Sequence, residues 1–187
     1  MRTLQILKSA VLVMLLVFTS CSSDDDNKNT PNPPGSGPFV ATVDGTAFPA
    51  ANMSFTKAKY VESTKMLQII GQPTGQTETI FFNLMPFETD FTFWQPGTYN
   101  FNPANVASAG YLASAQYNKW NGSAYEIWNV NYDLDPTGQI VIESITDTHV
   151  KGTFYFNAVR MNNDGTYDSS NVVEVTQGSF DLDIERL

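Results

Sequence analysis

The chain is predicted to be all-β, an antiparallel β-sandwich or, alternatively, a barrel-like antiparallel sheet. Three observations predict it. From Phe39 onward aromatic and β-branched residues recur in short runs. Turn residues break those runs at intervals of about 8–12 residues. Past the N-terminal apolar run, no window shows the spacing of an amphipathic helix. Residues 39–187 then make one domain, long enough to bury a core without disulfides.

The elements follow in order. Phe39-Val40-Ala41-Thr42-Val43 runs into Asp44-Gly45, a strong hairpin signal, and the chain returns through Thr46-Ala47-Phe48. Met53 to Val61 is extended, and Ser63-Thr64 turns it into Met66-Leu67-Gln68-Ile69-Ile70. Pro73-Thr74-Gly75 breaks the chain before Thr77 to Met85, where Ile80, Phe82 and Leu84 share one face. Ala104 to Ala109 makes one helical turn at most. Tyr111 to Tyr117 and Ala124 to Tyr132 flank Asn121-Gly122, a second hairpin signal. Asp135-Pro136-Thr137-Gly138 turns by its own chemistry, Pro presetting φ and Gly permitting φ > 0. Gln139 to Ile145 and Val150 to Val159 are strands, Asn162-Asn163-Asp164-Gly165 turns again, and Val172 to Thr176 and Ser179 to Ile184 close the chain.

The last strand shows the period best. Phe180, Leu182 and Ile184 point one way; Ser179, Asp181, Asp183 and Glu185 point the other. That is an antiparallel strand with one face on a core and one in water. Phe154, Phe156 and Ala158 face in by the same rule, while Thr153, Tyr155 and Asn157 face out.

Composition excludes several classes of function. Of 187 residues 10 are basic and 19 acidic, a net charge of −9. Phosphate contacts need clustered Lys and Arg, so nucleic acid is not an expected partner. One cysteine excludes an internal disulfide framework and a cysteine-cluster metal site. One histidine excludes a His-rich metal site.

The N-terminus reads as an export signal. Arg2 and Lys8 precede the unbroken apolar run Val11 to Phe18. That run is shorter than the roughly 20 residues a bilayer span needs. It fits the apolar stretch of a signal peptide over residues 1–20. Phe18-Thr19-Ser20-Cys21 resembles the lipobox of bacterial lipoproteins, with Phe18 departing from the usual Leu. In that reading the Cys21 thiol carries a diacylglycerol and its amine a third acyl chain, enough for stable anchoring without a transmembrane helix. Ser22-Ser23-Asp24-Asp25-Asp26 is similar to the export tag of surface lipoproteins of Bacteroidota, which implies an outer-membrane protein facing the cell exterior. With Asn27 to Pro38, rich in Pro, Gly, Ser and Asn, these residues form a flexible tether over 21–38.

The opening Phe39-Val40-Ala41-Thr42-Val43-Asp44-Gly45 and the closing Gly152-Thr153-Phe154-Tyr155-Phe156-Asn157-Ala158 and Val173-Glu174-Val175-Thr176-Gln177-Gly178-Ser179-Phe180 carry a wider resemblance. Together with the lipobox they resemble an uncharacterised Bacteroidota lipoprotein family with a single β-rich domain of unknown function. The resemblance implies fold and location. Its motifs specify packing, and it implies no activity.

Candidate sites are few. His149 would be required by a Ser-His-Asp triad, but no Gly-x-Ser-x-Gly elbow accompanies it, and it reads as a turn residue leading into a strand. Glu126, Asp133, Asp135 and Glu143 are the carboxylates available to a glycosidase. Asp164 and Asp168 supply oxygens at short spacing and are weak calcium candidates, without the EF-hand pattern. Trp94, Trp120 and Trp128, with Tyr117, Tyr125 and Tyr132, are candidate glycan contacts, because sugars stack their C–H faces on flat aromatic rings. Trp120 adjoins the Asn121-Gly122 turn and is the best of them. The aromatic-rich stretch from Phe87 to Trp94 either lines a groove or plugs one end of the sandwich.

The expected function is that of a surface-anchored, non-catalytic binding or envelope-interaction module, with glycan or extracellular polymer as its most concrete partner. The alternatives are a structural accessory subunit of an outer-membrane complex and an unrecognised hydrolase. No cofactor is expected beyond the lipid at Cys21.

Overall fold

The computed structural model describes residues 37–48, 55–73, 75–88, 90–101, 106–130 and 138–187. The signal, Cys21, the Ser22 to Asp26 tag and the tether to residue 36 lie outside the described residues, as do Asp133 and Asp135.

Eleven strands and one helical turn are described: β1 (Phe39–Val43), β2 (Thr46–Ala47), β3 (Lys57–Val61), β4 (Met66–Gly71), β5 (Glu78–Pro86), β6 (Gly97–Asn100), α1 (Val106–Ala109), β7 (Tyr111–Trp120), β8 (Tyr125–Asn129), β9 (Gly138–Ile145), β10 (His149–Met161) and β11 (Tyr167–Arg186). They form one sheet in the order β2-β1-β11-β3-β4-β5-β7-β8-β10-β9-β6, and β10 also pairs with β11.

That extra pairing closes the sheet. The β10–β11 hairpin is long enough to take two neighbours on each outer side. Along β10, residues 150–156 pair with β9 and residues 159–161 with β8. Along β11, residues 175–180 pair with β1 and residues 184–186 with β3. The circuit β3-β4-β5-β7-β8-β10-β11 therefore returns on itself, and β1, β2, β9 and β6 extend the wall built on the long hairpin. The result is one mainly antiparallel sheet that closes on itself around the core, consistent with the predicted all-β architecture, sandwich or barrel-like.

One pairing departs from the antiparallel expectation. β11 runs parallel to β3, with Ile184 opposite Ala58. Arg186 staples this corner. It reaches Glu62 at 2.6 Å and Asp147 at 2.9 Å and lies over the Tyr60 and Phe93 rings at 4.9 and 5.5 Å.

The core is aromatic. Phe82 of β5 meets Phe154 and Phe156 of the opposite wall at 4.6 and 5.8 Å between ring centroids, and stacks on Phe101 at 5.5 Å. The inward residues predicted for β5, β10 and β11 are all buried.

The two closing strands predicted from sequence are one strand of 20 residues with a bulge. Val173 and Val175 face the core on odd numbers; Phe180, Leu182 and Ile184 face it on even ones. Gln177, at φ 52°, absorbs the change of phase. Both neighbours skip there: Thr42 pairs with Thr176 and Val40 with Ser179, while Phe156 pairs with Val175 and Phe154 with Gly178.

Two of the glycines quoted for the family resemblance, Gly152 and Gly178, receive rings. A Cβ on Gly152 would stand 2.6 Å from Phe180 Cζ, and one on Gly178 would stand 2.6 Å from Phe154 Cζ. Each glycine is the floor under a phenylalanine of the neighbouring strand.

The aromatic stretch before β6 plugs one end. Trp94 is 1% exposed, donates its indole N–H to the Lys65 carbonyl at 2.9 Å, and packs on Phe91 and Tyr99. Phe93 packs edge-on to Tyr60 at 4.9 Å. This closes the barrel where β3 ends and β4 begins. β6 itself was not expected: its four residues begin at Gly97, directly after Pro96, like a loop, and only pairing with β9 (Tyr99 opposite Ile140) makes them a strand.

Candidate functional site

The opposite end of the barrel carries both hollows of interest. It is built from the turn between β1 and β2, the start of β5, the hairpin of β7 and β8, and the leading part of β11. Asp44 and Gly45 both have positive φ, 48° and 75°, as a two-residue hairpin turn of matching twist requires. Glu174 pins this turn twice: its carbonyl accepts the Asp44 N–H, and its own N–H donates to Asp44 Oδ1, each at 2.9 Å.

Period 2 gives the β7–β8 hairpin two unlike faces. Tyr117 lies opposite Trp128, and Lys119 opposite Glu126, on the inner face. Trp120 lies opposite Tyr125 on the outer face.

The inner face floors a hollow of about 410 Å³. The Tyr117 and Trp128 rings sit 5.5 Å apart at 42°. Asn171 of β11 accepts the Trp128 indole N–H at 3.0 Å. Glu78 at the start of β5 pairs with Lys119 at 3.4 Å. Burial, reinforced by the neighbouring Glu78 carboxylate, pushes the Tyr117 phenol well up, so it stays a protonated donor. Glu126 is held by Arg160 at 2.7 Å, and the same guanidinium lies 5.8 Å over the Trp128 ring.

The outer face carries an aromatic platform. Trp120 and Tyr125 meet edge-on at 5.1 Å and are 41% and 46% exposed. The platform is braced from behind: the Tyr125 hydroxyl donates to the Gln76 carbonyl at 2.6 Å, and Asn121 Oδ1 accepts the Ser123 and Ala124 N–H groups. Tyr125 also borders a second hollow of about 310 Å³, lined by Ile127, Arg160, Met161, Asn162 and Asn163. Glu126 borders both hollows, so its pair with Arg160 stands between them.

The structure sorts the predicted contacts. Trp120 is exposed at a hairpin tip, as the turn beside it predicted. Trp128 is 6% exposed and lines the inner hollow. Trp94 corrects the expectation of a glycan contact: it is a buried plug with no ring face open to a ligand. Tyr132 lies outside the described residues.

The two calcium candidates are committed locally. Asp164 Oδ1 accepts from the Thr166 hydroxyl and N–H at 2.7 and 3.0 Å, and Asp168 Oδ1 from the Ser170 hydroxyl and N–H at 2.6 and 3.1 Å. Those hydroxyl bonds, with the N–H bonds behind them, hold both carboxyls below the usual range. Among the described residues no group of three or more His, Cys, Asp or Glu side chains could hold a metal.

His149 is taken on both sides. Its Nδ1 meets Asp183 at 3.2 Å and its Nε2 meets Asp181 at 2.7 Å, which occupies the nitrogen a serine would need. Glu143 faces Lys151 at 3.9 Å. The inner-hollow residues Glu78, Lys119 and Asn171 escaped the sequence reading, because nothing along the chain marks positions 78, 119 and 171 as neighbours.

Among the described residues no helix is long and apolar enough to cross a membrane. No curated protein and no solved structure matches the chain. Residues 36–181 match the model of a family described as a domain of unknown function (DUF6252). The match spans every described strand but the last five residues of β11, and the chain belongs to the DUF6252 family.

Proposed function

We propose that the protein is a lipid-anchored binding module of the bacterial outer surface, and that its partner is a glycan or similar extracellular polymer. The observation that carries the binding reading is the Trp120–Tyr125 platform beside a hollow lined by Arg160, Asn162 and Asn163. An exposed flat ring accepts the C–H face of a sugar, and adjacent amides and a guanidinium orient its hydroxyls. The bracing of Tyr125 and of the Asn121 turn keeps the platform in place before a ligand arrives, which lowers the cost of ordering it. The anchoring reading rests on the sequence: the apolar run, Cys21 and the Asp24 to Asp26 tag.

Retention on immobilised polysaccharides, or a glycan array, tests the binding. Trp120→Ala should abolish retention at an unchanged melting temperature. No retention of the unmodified protein, or equal retention of the variant, overturns the reading. Cys21→Ala should move the protein from the membrane to the soluble fraction; a variant that stays membrane-bound and unprocessed defeats the anchoring.

A further inference from the structure

The strand register brings a third exposed ring to the face that carries Trp120 and Tyr125. Asn118 of β7 lies opposite Ile127 of β8, Ile127 opposite Met161 of β10, and Met161 opposite Tyr167 of β11. Residues paired directly across neighbouring strands point to the same face. Tyr125 and Ile127 are two apart on β8, so the whole row shares the outer face with the platform. Tyr167 is 42% exposed, close to the 41% of Trp120 and the 46% of Tyr125. Ile127 and Met161, both half-buried, make an apolar floor between the rings.

The rings stand on two hairpins. Trp120 and Tyr125 belong to the β7–β8 hairpin and Tyr167 to the β10–β11 hairpin. The outer hollow opens where the two part, beyond the pair of Ile127 with Met161, and Asn162 and Asn163 line it. Tyr125 and Tyr167 are separated by two strand spacings and one side-chain row, about 12 Å between Cα atoms. A pyranose ring is about as wide as one aromatic ring. One sugar therefore covers Tyr125 or Tyr167, and only linked sugars reach both.

Charge narrows the choice of polymer. None of the residues in the row is ionised. Beside it, Glu126 and Arg160 neutralise each other at 2.7 Å, and Asp164 is turned to the Thr166 hydroxyl. The chain as a whole carries −9, which repels a polyanion. Resting on the glycan-binding function proposed above, we infer that the platform holds a linear, uncharged polysaccharide along its length, with the Trp120–Tyr125 pair and Tyr167 as two separate stacking subsites.

The probes are laminarin, dextran, xylan and galactomannan, with polygalacturonate as the charged counterpart. Affinity electrophoresis of the full chain finds the polymer it holds, and calorimetry compares the disaccharide and hexasaccharide of that polymer. A neutral polymer should retard the protein and polygalacturonate should not. A hexasaccharide gains over a disaccharide simply by offering more registers, so the decisive quantity is how their affinity ratio changes. Tyr167→Ala, at an unchanged melting temperature, should cut that ratio about fivefold, the order expected for one stacked ring, and Tyr167→Phe should restore it. An unchanged ratio in Tyr167→Ala, or polygalacturonate held as tightly as the neutral polymers, overturns the inference and leaves the Trp120 platform standing. Absence of retardation by any polymer, or retardation that survives Trp120→Ala, overturns both.

Discussion

Gly178→Ala isolates the device that shapes the long hairpin. Gly178 is outside the left-handed region, so the backbone itself tolerates alanine there. The whole cost is steric. The new methyl would stand 2.6 Å from Phe154 Cζ, whereas carbon atoms rest at about 3.5–4.0 Å. The ring must retreat by about 1 Å. It has little room to do so: Phe154 is buried, with Phe82, Phe39 and Phe180 at 4.6, 5.2 and 6.3 Å between centroids. Overpacking of a tight core costs about 1–3 kcal/mol, and the three surrounding rings put this site near about 3. For a domain of this size that lowers the melting temperature by roughly 6–12 °C. Calorimetry measures it, and a double-mutant cycle assigns the cause. In a Phe154→Leu background the smaller side chain can yield, and the cost should shrink by about 1 kcal/mol or more. A Gly178→Ala variant within about 0.5 kcal/mol of the parent, or the same cost in both backgrounds, would refute the reasoning.

Three further outcomes are expected. Gly165→Ala meets no atom within 4 Å but sits at φ 84°, so chemical denaturation should show a loss of about 1 kcal/mol from backbone strain alone. Phe82→Ala removes a fully buried ring that touches three others, and urea unfolding should register a loss of about 4 kcal/mol. For His149, the hydrogen bond to Asp183, with a second to Asp181, raises the imidazole above its ordinary value of 6.5. The protonated ring donates to both carboxylates, while the neutral ring can donate to one. The stabilisation is therefore complete below the unfolded value and is lost as pH rises through the folded one. With 41% of the side chain exposed, screening holds the effect to about 0.5 kcal/mol across roughly pH 5 to 8. Unfolding of His149→Gln should lack this slope.

The strands and turns were legible because their signals are local. Phe180, Leu182 and Ile184 declare an inward face by period alone, and Asp44-Gly45 and Asn121-Gly122 declare turns by the φ they allow. The split of β11 into two strands failed for an equally physical reason. Gln177 carries no residue-type signal for a positive φ, and only the demand that both Val175 and Phe180 face the core forces a bulge between them. Among the tryptophans, local context placed Trp120 beside a turn correctly. It could not separate Trp94, a plug under a carbonyl of the β3–β4 turn, from Trp128, the floor of a hollow.

Sequence alone therefore determined that this is an all-β chain with a phenylalanine-lined core, where it turns, and which of its motifs serve packing. The tertiary structure decided that the sheet closes through the β10–β11 hairpin, that β3 runs parallel to β11, and that Trp94 plugs one end while the hollows lie at the other. The division has one cause. A strand's period and a turn's φ are properties of neighbours along the chain, whereas closure and a shared hollow join residues such as Asp44, Glu78, Lys119 and Asn171, which meet only after the sheet has curled.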